Sequence, residues 1–120
     1  MQKHIAPDTR VQNLEYKEAF KLLTDKEKNY AFFLEKASWA GAKMVLHQLC
    51  YEAPALFLIF QAFFSERDLF KVETAALAAG VSQAEWKQFI AYVAGFYGNM
   101  SNYHSFGHNK FIPEVSRETF

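Results

Sequence analysis

Two histidines, His104 and His108, stand four residues apart, the spacing that places two imidazoles on one face of a helix. A metal site would need a third ligand, a carboxylate or thiol at matching spacing, and none accompanies them. They also flank Phe106-Gly107, where a helix is unfavourable, so two exposed loop histidines are the simpler account. His47 falls within a helical pattern beside Gln48 and is expected to be solvated or at the edge of the core. Nothing near Cys50 in the sequence would obviously activate a thiolate, which leaves a structural or an incidental thiol. Neither His-Glu-x-x-His, nor Gly-x-Ser-x-Gly, nor a phosphate-cradling glycine loop occurs. Gly95-Phe96-Tyr97-Gly98 is accounted for as a helix terminus, and Glu15, Glu18, Glu27 and Glu35 as solvated faces or caps. The residues alone define no catalytic centre. What stands out is Asn99 to Lys110, which gathers Asn, Ser, Tyr, Phe and Gly directly after a helix. Such a loop, held on a rigid element, offers backbone amides and aromatic faces to a ligand, although a plain surface turn has the same composition.

The elements that must hold this loop follow from periodicity. Residues 1–13 lack any period and contain Pro7, Asp8 and Asn13, which predicts an irregular arm. Tyr16, Ala19, Phe20 and Leu23 form one face of a short helix over 15–23. Thr24-Asp25-Lys26-Glu27 is a capping box that opens a helix running to about Leu49. That helix carries two apolar stripes: Tyr30, Phe33, Leu34, Ala37, Gly41, Met44 and Val45 on one side, and Phe32, Trp39 and Leu46 on another. Two stripes predict cover on two sides. Pro54 suits the first turn of a third helix over 54–64, apolar nearly all round and expected at the centre. Ser65 to Asp68 signals the next start, for a helix over 69–79 stopped by Gly80. A second capping box, Ser82-Gln83-Ala84-Glu85, opens a helix with Trp86, Phe89, Ile90, Val93 and Tyr97 on one face, ending near Asn99. From Asn99 the chain turns irregular, and Phe111-Ile112-Pro113 has the composition of an extended piece. The fold predicted is all-α: about five helices in a compact array with an irregular C-terminal segment. Its divisions are an arm (1–13), a helical domain (14–98) and a loop and extended segment (99–120).

Composition bounds the function. The 120 residues carry 13 basic and 13 acidic side chains, so there is no charge footprint for nucleic acid or an anionic membrane. The longest apolar stretch, Ala53 to Phe60, is far below the ~20 residues that span a bilayer. One cysteine and no apolar leader at Met1 to Asp8 point to a reducing, cytoplasmic setting. Thirteen phenylalanines ask for more interior than one small domain provides, which points to apolar surface that meets a partner or, alternatively, to an aromatic-rich core with a few exposed rings.

One run is specific enough to suggest a family. Tyr92-Val93-Ala94-Gly95-Phe96-Tyr97-Gly98-Asn99-Met100-Ser101-Asn102-Tyr103-His104-Ser105-Phe106-Gly107, followed by Lys110-Phe111-Ile112-Pro113, resembles the N-terminal region of the dipeptidyl peptidase III family. The family pattern there is Tyr-x-Ala-Gly-x-Tyr-x-Asn-Met-Gly-Asn-Tyr-x-Ser-Phe-Gly-x-x-Lys-Phe-x-Pro. Upstream, Glu18-Ala19-Phe20, Ala37-Ser38-Trp39-x-Gly41 and Glu52-Ala53-Pro54 fit in the same order. Ser101 departs from the family's glycine, so the backbone there is expected to avoid a glycine-only conformation.

The resemblance implies a two-lobed zinc exopeptidase several times longer than this chain, which removes dipeptides from the N-termini of short peptides. The family's zinc motif, His-Glu-x-x-x-His with a further Glu ligand, lies in the other, C-terminal lobe and is absent here. This chain would then be an N-terminal fragment, inactive by itself, that binds no zinc and relies on the missing lobe. The short peptide is expected to border Phe106 and Ser105, with Tyr103 and Asn102 as further substrate-binding candidates. A different reading is a free-standing helical interaction module descended from that lobe. On either reading the two-striped helix predicts self-association of the isolated chain.

Overall fold

The structure, a computed structural model, describes residues 4–10, 12–65, 68–104, 109–118 and 120. Among the described residues there are five helices: α1 (Lys17–Lys21), α2 (Asp25–Leu49), α3 (Ala53–Phe64), α4 (Leu69–Ala78) and α5 (Gln83–Asn99). The only β pairing among them is an isolated antiparallel bridge between Tyr103 and Lys110.

Each boundary has a local cause. Thr24 opens α2 by accepting from the Glu27 amide, while the Glu27 carboxylate accepts from the Thr24 amide at 2.8 Å. Ser82 and Glu85 repeat the arrangement at α5, with the Ser82 amide 3.1 Å from the Glu85 carboxylate. Two orphan donors are satisfied at each helix start. Asp68 caps α4 by accepting from the Phe70 amide at 3.0 Å. At the end of α4, Gly80 takes φ 99°, and Val81 donates back to the Ala76 carbonyl at 3.1 Å. At the end of α5, Ser101 donates to the Phe96 carbonyl at 3.1 Å, and the left-handed residue between is Met100, φ 55°. A methionine there costs about 1 kcal/mol against glycine. Ser101 itself has no positive φ, as its departure from glycine predicts.

The core gathers where α3, α5 and the C-terminal segment meet: Ala53 and Phe60 from α3, Tyr92, Val93 and Phe96 from α5, Phe111, and Leu46 from the last turns of α2. Phe60 is its hub. Its ring meets those of Phe89, Tyr92, Phe96 and Tyr97 edge to face, with centroids 5.3–6.3 Å apart. α3 is not enclosed, however: Leu58 and Ile59 are exposed, and α5 contributes more of the buried side chains. An apolar helix with too few neighbours is covered on one side only.

α2 departs furthest from expectation. Of its two stripes, only Leu46 is buried; Tyr30, Phe33, Leu34 and Met44 on one side, and Phe32 and Trp39 on the other, all face solvent. The chain is accordingly elongated, 54 × 30 × 28 Å, with a radius of gyration of 17.3 Å. A compact domain of this length has a radius of about 14 Å.

The N-terminal arm is irregular but packed. Ile5 lies against the core, beside Gly95. His4 donates from Nδ1 to the Ile112 carbonyl at 3.1 Å, tying the arm to the C-terminal segment.

Candidate functional site

The loop after α5 begins from a rigid base. Asn99 donates to the Gly95 carbonyl at 2.8 Å, the Met100 turn closes the helix, and Ser101 is buried with its hydroxyl accepting from the Tyr103 amide at 3.2 Å. The chain then runs out through Tyr103 and His104 and returns through Asn109, Lys110 and Phe111. The two limbs are joined by His104 donating to the Asn109 carbonyl at 3.0 Å, and by Phe111 donating to the Asn102 carbonyl at 2.9 Å.

Asn102 is the most enclosed polar side chain of this base after Ser101, at 4% exposure. Its Oδ1 accepts from the Cys50 thiol and its Nδ2 donates to the Glu52 carboxylate, both at 3.4 Å. The Tyr92 hydroxyl shares a further hydrogen bond with it, and burial pushes the Tyr92 phenol above its ordinary range, so the phenol stays protonated at neutral pH. Glu52 also forms an ion pair with Lys110. Glu52 occupies the cap position of α3 yet makes no side-chain capping bond there, which leaves its carboxylate free to turn toward the loop. Lys110 in turn lies 5.9 Å from the centre of the Tyr103 ring.

The sequence candidates fall as follows. Tyr103 and Asn102 sit together on the outgoing limb, Asn102 with its carboxamide engaged inward and Tyr103 half-buried beside Lys110. Phe106 and Ser105 lie outside the described residues, as does His108. His104 is half-buried rather than exposed, because its ring packs on Phe111 with centroids 5.1 Å apart. His47 is solvated on α2, and Cys50 is a half-buried thiol bonded to Asn102. The Glu52–Lys110 pair has no signal in the sequence, because its partners are 58 residues apart. An open groove lies beside the loop base, between the arm and α5, lined by His4, Asp8, Lys87, Asn99 and His104 among others. A smaller cavity of about 230 Å³ between α3 and α5, walled by residues such as Phe60, Trp86 and Phe89, is lined by no titratable side chain. Among the described residues no three His, Cys, Asp or Glu side chains are arranged to hold a metal ion, so the described residues do not fit a zinc site.

No family model matches the chain. Curated relatives match it along nearly its whole length, and they are peptidases. The chain is 45% identical over 121 residues to dipeptidyl peptidase 3 of Nematostella vectensis, a match covering 98% of this chain and 17% of the relative. The human protein of the same name is 39% identical over 117 residues, covering 97% of this chain and 16% of the relative. That of Dictyostelium discoideum is 40% identical over 119 residues, covering 98% and 17%. The chain matches proteins named dipeptidyl peptidase 3 along nearly its whole length, and it spans about one sixth of the length of the relatives it matches.

Proposed function

We propose that this chain is the N-terminal part of a zinc-dependent dipeptidyl peptidase of the cytoplasm, which releases dipeptides from the N-termini of short peptides. Identity of 38–45% across nearly the whole chain to proteins of that name carries the reading. Because no described cluster here suits a metal, the zinc and the hydrolytic groups would come from the remainder of the polypeptide, and no chemical step is assigned to this chain. Its own task would be to present one wall of the peptide cleft. Phe106 and Ser105 would meet the substrate, with Tyr103 and Asn102 at the base of the same loop. No helix among the described residues is long and apolar enough to cross a membrane, which accords with a peptidase acting on dissolved peptides.

The reading is tested with the full-length protein that carries this segment. It is expected to release dipeptides from a dipeptidyl arylamide and to hold zinc, while the 120-residue chain does neither. Phe106→Ala in the full-length protein is expected to raise KM with zinc content unchanged, the ring's buried area contributing about 1–3 kcal/mol. Stoichiometric zinc and turnover in the short chain alone would overturn the assignment. A non-catalytic interaction module is favoured by one observation only, the exposed rings of α2. A full-length protein without peptidase activity would decide for it.

A further inference from the structure

The polar cluster at the loop base is larger than a turn needs. It joins three places far apart in the chain: Cys50 and Glu52 at the α2–α3 junction, Tyr92 on α5, and Asn102 and Lys110 on the two limbs of the loop. Asn102 is nearly enclosed, and a buried carboxamide is costly unless bonded. Its Oδ1 and Nδ2 are both engaged, toward different elements, which fixes the side chain and the outgoing limb with it. The returning limb is fixed by the Glu52–Lys110 pair. Glu52 is therefore the shared point: one carboxylate oxygen, Oε1, receives both the Asn102 carboxamide and the Lys110 ammonium. That carboxylate belongs to the cap residue of α3, the helix that carries the Phe60 hub, so the loop is referenced to the core by charge and hydrogen bonds.

We propose that Glu52, Asn102 and Lys110 act as a positioning clamp, which sets the separation and angle of the loop limbs Tyr103–His104 and Asn109–Lys110. This rests on the functional reading above, in which the loop borders a bound peptide. None of the three touches the reacting groups; they act through the backbone they hold. Cutting the clamp disturbs no metal-holding cluster among the described residues, since none of them forms one. It widens the range of positions the loop limbs occupy and weakens peptide binding. A loss confined to ground-state binding appears in KM and leaves kcat in place.

The test uses the full-length enzyme with short peptides as substrate. Glu52→Gln removes the charge and keeps the shape. Lys110→Met removes the ammonium, and Lys110→Arg retains a cation. Both residues are partly solvent-exposed, so these variants put little of the core at risk. Glu52→Gln and Lys110→Met are expected to raise KM about five-fold or more with kcat within about two-fold, and their double variant to be no worse than the poorer single. Lys110→Arg is expected to remain near wild type. Thermal melts run alongside, because a merely structural role lowers the melting temperature and the active fraction, hence kcat, at constant KM. That pattern, or singles indistinguishable from wild type, overturns the clamp. A wild-type full-length protein that releases no dipeptides overturns the functional reading instead, an outcome visible before any variant is compared.

Discussion

A glycine inside a helix gives up about 0.5–1 kcal/mol relative to alanine, so Gly95 in the fourth turn of α5 needs a reason to be there. A Cβ at that position would stand 2.8 Å from Ile5 Cγ1, 3.3 Å from Ile5 Cδ1 and 3.4 Å from the Phe111 ring. The missing side chain is what lets the arm lie on the helix. Gly95→Ala is therefore expected to have two opposed effects: firmer helix and looser arm. Amide exchange at Ile5 and Ala6 is expected to quicken while the helical circular dichroism holds or rises. Unchanged protection at the arm would show that Ile5 adapts by rotating, since the close atoms belong to a flexible side chain. Contacts of this kind are invisible to sequence patterns. Ile5 and Gly95, His4 and Ile112, and Glu52 and Lys110 lie far apart in the chain, and no spacing rule links them. Asn102 and Tyr103 were legible as candidates through the resemblance, but the inward engagement of Asn102 depends on Cys50 and Glu52, which the fold alone brings near.

At the scale of the element, the helices were legible wherever a side chain closes a backbone group locally. Thr24 with Glu27, Ser82 with Glu85, and Asp68 mark three starts, and Gly80 marks a stop, because each satisfies amides or carbonyls within a few residues. Packing was less legible. The apolar content of α3 predicts a central helix, yet periodicity cannot count how many neighbours will arrive to cover it. α2 shows the same limit more strongly, since both its stripes are real and Leu46 alone finds the core. Phe33 at 64% exposure and Trp39 at 61% belong to different sides of the same helix. Monomeric proteins seldom leave contiguous apolar patches beyond about 300–600 Å² uncovered. The isolated chain is thus expected to associate through α2, with a mass by light scattering that climbs with concentration and with binding of an apolar dye. Trp39→Glu and Phe33→Ser are expected to lower both signals. A strict monomer at high concentration that binds no dye would show the exposed rings to be tolerated singly.

The whole molecule is a small aromatic core with one long helix projecting from it. α2 is about 37 Å long at 1.5 Å per residue, longer than the shorter dimensions of the chain, and is held to the core by its C-terminal turns. Helices owe most of their stability to packing, and intrinsic propensity alone is marginal over a few turns. Stability along α2 must then be graded: rooted at Leu46, it has to fall toward the capping box at Thr24, where backbone hydrogen bonds and one reciprocal cap act without burial. Such a helix opens from its free end like an unfastened zip, while the rest of the molecule stays closed. In native-state amide exchange the residues around Tyr30 and Phe33 are expected to exchange through local opening, orders of magnitude faster than those around Leu46, which follow the core. Uniform protection from end to end would mean that α2 melts as one unit with the core. A graded profile would make the free half of α2 the part of this chain most easily reshaped by whatever comes to lie against it.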